Sequence, residues 1–198
     1  MLNTILGSFS TGVAPSANSY ESIASVTVGS GGSSTITFSS IPATYTHLQI
    51  RGIAQTNRGT YSVDNMFITF NSDTASNYSM HYIFGGYTSS PMVESGSSTS
   101  ATKILTYMIS TSVPGTTFTG VVMDILDYAN TNKYKTARIL NGFDVNGTAG
   151  TGSYGGTVNF CSGLWRSTSA ITSITFAPQE GTNFAQYSQF ALYGIKGS

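Results

Sequence analysis

The chain has 198 residues, only 8% of them charged, and its 8 Lys and Arg balance 8 Asp and Glu to a formal net charge of zero. Soluble domains usually carry about 25% charged residues, so neutral hydroxyls and amides must keep this one in solution. The balance excludes the clustered cations that nucleic-acid backbones and anionic membranes require, and no run approaches the ~20 apolar residues of a membrane span.

In chain order, Met1–Ala14 lacks a basic n-region and a long apolar core, which predicts no signal peptide and synthesis in a cytoplasm. Leu2, Ile5, Leu6 and Phe9 are apolar, and Pro15 to Asn18 then break the pattern. Residues 1–20 read either as a short N-terminal arm that docks on a neighbour or as a first strand, with residues 21–198 as a single domain. Alternating apolar and polar residues, rich in β-branched and aromatic types, predict strands. In order these are Ser22–Val28, Thr35–Ser39, His47–Ala54, Asn65–Asn71, Tyr78–Phe84 and Lys103–Ser110. Thr117–Asp127, Lys133–Leu140, Thr157–Leu164, Ile171–Phe176 and Gln189–Ile195 complete the set. The glycines after Val28 and the Ala129–Asn132 stretch supply hairpin turns. Ser89–Ser100 is expected to be a surface loop or lid, and Gly147–Gly156 a flexible loop. No helical i, i+3, i+4 rhythm lasts three turns. The fold class is therefore all-β, an antiparallel β-sandwich, jelly-roll-like, with a short N-terminal arm.

Residues able to do chemistry are sparse. His47 and His81 form no HxH or HxxxH pair, and Cys161 has no second cysteine for a disulfide or a CxxC site. Cys161 is expected to be a buried, inert thiol, and no metal or cofactor is expected. Asp124 and Asp127 are the nearest conspicuous carboxylate pair, but three residues apart on a strand they point to opposite faces and do not flank a glycosidic bond. Asp127 is read as opening a turn, and Asp124 as pairing with Lys133, Lys135 or Arg138 on the next strand. The glycine-rich loops lack the Gly-Lys-Ser/Thr ending of a phosphate loop, and no GxSxG elbow occurs. Together these points predict a protein that is not an enzyme.

Aromatic residues offer more. Tyr82, Tyr87, Tyr154 and Trp165 are candidates for stacking on sugar rings, set against the alternative that they fill the core or a subunit interface. In the last strand Phe190 and Leu192 share a core face, whereas Tyr187, Tyr193 and Ile195 share an apolar face tipped with phenols, expected to meet another subunit.

From Ser22 to Gly52 a hairpin leads into SIPATYTHL and an alternating strand, and Ser169–Lys196 ends on LYGI. Both stretches resemble a diffuse group of tailed-bacteriophage virion proteins. The resemblance implies a β-sandwich or jelly-roll subunit of a phage particle, trimeric, located in a tail fibre that contacts host-surface glycan or on the capsid as a decoration protein. It also implies attachment to other virion proteins, here through the N-terminal segment, and it brings no catalytic residues. Apolar residues on both faces of Ile23–Val28 and Val121–Ile125 fit such assembly, because a closed oligomer would bury the second face.

Overall fold

A computed structural model describes residues 19–87, 90–112, 117–146 and 154–197. Residues 1–18 of the expected arm and most of the glycine loop after Asn146 lie outside the described residues, and Tyr20, the arm's last residue, already belongs to the first strand. Twelve strands follow one another: β1 (Tyr20–Thr27), β2 (Ile36–Phe38), β3 (His47–Thr56), β4 (Val63–Phe70), β5 (Tyr78–Tyr87), β6 (Pro91–Ala101), β7 (Ile104–Ser110), β8 (Thr119–Leu126), β9 (Lys135–Asp144), β10 (Gly156–Trp165), β11 (Ile174–Pro178) and β12 (Gln189–Ile195). They form two antiparallel sheets packed face to face, a β-sandwich. The large sheet runs β1-β12-β3-β8-β9-β10-β5-β6 and the small one β2-β11-β4-β7. A short parallel contact between Gln55–Thr56 of β3 and the end of β7 joins them.

The alternation that predicts the strands also decides what they bury. In β4, Asp64, Met66, Ile68 and Phe70 face the large sheet, and in β8 Thr119, Val121, Met123 and Ile125 face back. The space between is filled at one end by Phe176 stacked on Phe190 at 5.0 Å, with Phe184 edge-on at 6.0 Å. At the other end Phe70, Tyr78 and Trp165 cluster, and the Trp165 indole donates to Asp73 Oδ2 at 2.7 Å. Gly163 lies under Ile104, where even a methyl group would collide. Cys161 is fully buried, and burial pushes its thiol up to about 11, consistent with the inert role expected of it.

One strand departs from expectation. Pro91–Ala101 is not a loop or lid but the edge strand β6, in register with β5 from Tyr87↔Pro91 to Met80↔Ser98, with a one-residue shift before Tyr78↔Ala101. Its Ser-rich sequence has little alternation of its own, so pairing with β5 makes it a strand. Proline at its first residue and Glu94 along it suit an edge that must not recruit further strands.

Two carboxylate assignments also change. Asp124 accepts from Gln49 Nε2 at 2.7 Å; it makes no ion pair with Lys133, Lys135 or Arg138, although Arg138 is its cross-strand neighbour. Lys133 instead pairs with Asp127 at 2.6 Å, and Lys135 is fully buried. Asp127 does open the turn, with φ of 50°, and its N–H donates to His47 Nδ1 at 3.0 Å.

Three carboxylates are held below their ordinary range. Glu21 is lowered by Lys196 and by the Tyr45 hydroxyl, and Asp127 by Lys133. Burial alone would raise Asp73, but hydrogen bonds from Asn77, Trp165 and the Ala75 N–H outweigh it. A carboxyl depressed in the folded state contributes stability that is complete above its unfolded pKa of about 4 and is lost as pH falls through the lower folded value. Melting temperature is therefore expected to be flat from neutrality down to about pH 5 and to decline below about pH 4. A decline already under way at pH 6 would contradict this.

Candidate functional site: a polar cleft beside the β5–β6 hairpin

β10 is laid into the large sheet against its own hydrophobic pattern. Its more apolar alternate positions, Val158, Phe160 and Leu164, face outward, with Val158 57% and Phe160 48% exposed. Thr157, Asn159, Cys161, Gly163 and Trp165 face inward. A one-residue slip would exchange the two sets, yet β10 is locked in register along its whole length with both β9 and β5. The inversion places amides inside the sandwich and hydrocarbon outside it.

Inside, Asn159 lies directly across from Asn141 of β9, and both are almost completely buried. Asn141 Nδ2 donates to the Tyr107 carbonyl, and Asn159 Nδ2 donates to Thr106 Oγ1 at 3.0 Å. The amide oxygens of both residues have no partner among the described residues. A buried acceptor left unpaired costs about 1–3 kcal/mol, so this pair is a destabilising feature of the fold.

Asn159 borders a cleft of about 270 Å³ between the β5–β6 hairpin and β7, walled by Tyr82, Tyr107, Asn65, Ser97 and Ser98. Tyr82 and Tyr107 meet edge to face at 6.3 Å, and Phe84 backs Tyr107 at 4.6 Å. Tyr154 meets Phe84 edge-on at 5.3 Å, and its backbone N–H donates to Ser62 Oγ at 2.7 Å. Gly96 makes room for Tyr82, since a Cβ there would lie 2.5 Å from its hydroxyl. Burial pushes Tyr107 up to about 12, with smaller contributions from Tyr82, Tyr154 and Glu94. Burial, then Glu94, raises Tyr154 as well. Tyr107 stays protonated at neutral pH, so the cleft offers a phenol donor beside the Ser97 and Ser98 hydroxyls, amide side chains and aromatic walls. That set matches a neutral polyhydroxylated group, which both donates and accepts.

The aromatic candidates do not converge. Tyr82 lines the cleft, whereas Tyr154 is set back from it behind Phe84, which itself backs the lining Tyr107. Tyr87 is exposed on the outer face at one end of the β5–β10 ladder, paired with Gly156, whereas Trp165 pairs with Tyr78 at the other end. Nine residues of strand separate these ends, roughly 30 Å. Trp165 is a core residue, 2% exposed, so its ring is closed to any external sugar. The sequence does not single out Asn65, Thr106, Tyr107 or Asn159, because the cross-strand match of Asn159 with Asn141 and their inward facing appear only once β9 and β10 are paired.

The expected interface residues divide too. Tyr187 precedes β12, in a turn with φ of 73°, so strand parity does not reach it; it is 66% exposed. Tyr193 and Ile195 do share the outer face of β12, and the Arg51 guanidinium lies 6.0 Å over the Tyr193 ring. Among the described residues no three His, Cys, Asp or Glu side chains gather where a metal could be held. His81 stands exposed on the outer face, and His47 is used in the Asp127 turn. No helix among the described residues is long and apolar enough to cross a membrane. No family model, curated protein or solved structure matches the chain.

Proposed function

We propose that this protein is a non-enzymatic structural subunit of a tailed-bacteriophage particle, a tail-fibre or receptor-binding module that touches glycan on the host surface. The observation that carries the glycan part is the cleft lined by phenols and hydroxyls and bordered by Asn159, a buried residue whose amide oxygen has no partner among the described residues. A protein under selection for stability alone would replace such an amide; retaining it suits a site that a sugar hydroxyl completes. The virion part rests on the resemblance of Ser22–Gly52 and Ser169–Lys196 to phage particle proteins. In this reading the protein is made in the host cytoplasm and functions on the virion. Residues 1–20 attach it to other virion proteins, and it assembles with copies of itself.

The test combines binding and stability. Labelled protein is expected to bind host cells, with binding competed by their purified surface polysaccharide. Asn159→Leu is expected to weaken that binding about tenfold while changing unfolding free energy by no more than about 1 kcal/mol, because the substitution removes an unmet acceptor as well as one hydrogen bond. Equal binding by wild type and variant would remove the cleft from the reading. A second reading, a capsid decoration protein, is favoured by the exposed hydrocarbon on the outer face of β10, which a flat clamp on neighbouring shell subunits would cover. Binding to capsids stripped of the protein, with a gain in their heat resistance, would select it.

A further inference from the structure

The outer face of the large sheet has a pattern that fits itself. Register across β8, β9, β10 and β5 aligns Val122, Leu140, Phe160 and Ile83 in one row, all between 37% and 59% exposed. The neighbouring row holds Gly120, Gly142, Val158 and Gly85. Gly120 and Gly142 are cross-strand partners, so a gap two strands wide lies beside the apolar ridge. One row further out on either side, β9 carries Arg138 beyond the ridge and Asp144 beyond the gap, both exposed. Neither forms an ion pair among the described residues.

We propose that this face is an isologous contact between two copies of the chain, related by a two-fold axis that crosses the strands at Asn141. The axis position follows from the sequence of β9, in which Leu140 and Gly142, and Arg138 and Asp144, are symmetric about Asn141. Turning a second copy about that axis drops its Val122 and Leu140 into the gap over Gly120 and Gly142. The same rotation sets Arg138 of each copy over Asp144 of the other. Zero net charge leaves no long-range repulsion to oppose the pairing. Arg51 and Ile53 extend the two rows onto β3, and five strands from β3 to β5 at ~4.8 Å spacing with three row steps of ~7 Å cover roughly 500 Å² per copy. The total of roughly 1,000 Å² is at the lower end for a specific interface. The contact makes the assembly even-numbered: a dimer, or a hexamer where the threefold contact implied by the phage resemblance also forms.

Purified full-length protein, sized by light scattering at about 100 µM, is expected to have an even-numbered mass. Leu140→Asp is expected to halve that mass without changing the circular dichroism spectrum. Gly120→Val is expected to halve it too, with no loss of melting temperature, because a Cβ at Gly120 meets nothing closer than 4.0 Å within its own chain. Arg138→Asp is expected to weaken association about tenfold, and adding Asp144→Arg to restore it. A wild type that is monomeric or trimeric overturns the proposal, and that is the result a face built for a different protein would give. An unchanged mass in both Leu140→Asp and Gly120→Val overturns it as well, and failure of the double charge reversal to rescue overturns the two-fold register.

Discussion

Asp64→Ala is expected to cost about 3–5 kcal/mol of stability, in the range seen when a buried charged network is broken. Asp64 is 1% exposed and accepts three backbone hydrogen bonds: Oδ1 from Asn65 at 2.7 Å and Glu180 at 3.0 Å, Oδ2 from Gly181 at 2.9 Å. Two of the three come from the turn between β11 and β12, whose next residues Thr182 and Asn183 donate to Asn57 Oδ1. Removing the carboxylate orphans these donors and frees the turn that aims β12 into the sheet. At roughly 2–4 °C per kcal/mol for a chain of this size, melting should fall by about 6–20 °C. Asp64→Asn is expected to recover only part, because one amide end presents a donor to another donor. A loss under about 1 kcal/mol in a urea titration with unchanged m would show that the turn is held by other contacts.

Lys135→Met is expected to cost about 2–4 kcal/mol, from the opposite charge and the same logic. The Lys135 ammonium is fully buried and donates to the carbonyls of Asn130, Lys133 and Thr168, at 2.7 Å for Lys133 and 3.2 Å for Thr168. It thereby ties the β8–β9 turn to the segment between β10 and β11. Burial lowers its pKa, and the Asp127 charge partly offsets that. Methionine has matching length and better packing, but it donates nothing, so three carbonyls lose their partner at once. Lys135→Arg is expected to recover little, because a planar guanidinium is bulkier than the ammonium it would replace. Thermal denaturation of the two variants beside wild type measures this directly, and a methionine variant as stable as wild type would show that water takes over the carbonyls.

The sequence was most legible where local pattern and tertiary environment agree. β12 lies on its expected residues, Gln189–Ile195, because its alternation is strong and both its neighbours, β1 and β3, are long strands. β6 was illegible because its strand character comes from β5. The cleft was illegible for a sharper reason: parity separates the two faces of β10, but hydrophobicity then selects the wrong one as interior. Trp165, Cys161 and Asn159 share one face with a threonine and a glycine, and the face with Val158 and Phe160 looks more like a core. Lys135 follows the same rule, since charge argues for the surface until three carbonyls close around it. Apart from β6, these departures from pattern collect on β9 and β10, the strands that supply Asn141 and Asn159 to the interior and Leu140 and Phe160 to the outer ridge.

The position of β12 has a consequence for biosynthesis. β1 and β3 are not paired with each other; β12 is inserted between them, hydrogen-bonded to both along its length. Residues 57–188 must therefore be synthesised before the large sheet can close, on the order of ten seconds at ribosomal speeds. Throughout that interval β1 and one side of β3 carry open backbone, the kind of edge that recruits stray strands. Loop-closure entropy for so distant a pairing is charged before any of its hydrogen bonds form. Folding of the large sheet is thus gated by the final strand, and chains ended between β8 and Gln189 leave β1 and the facing side of β3 without the strand that seals them.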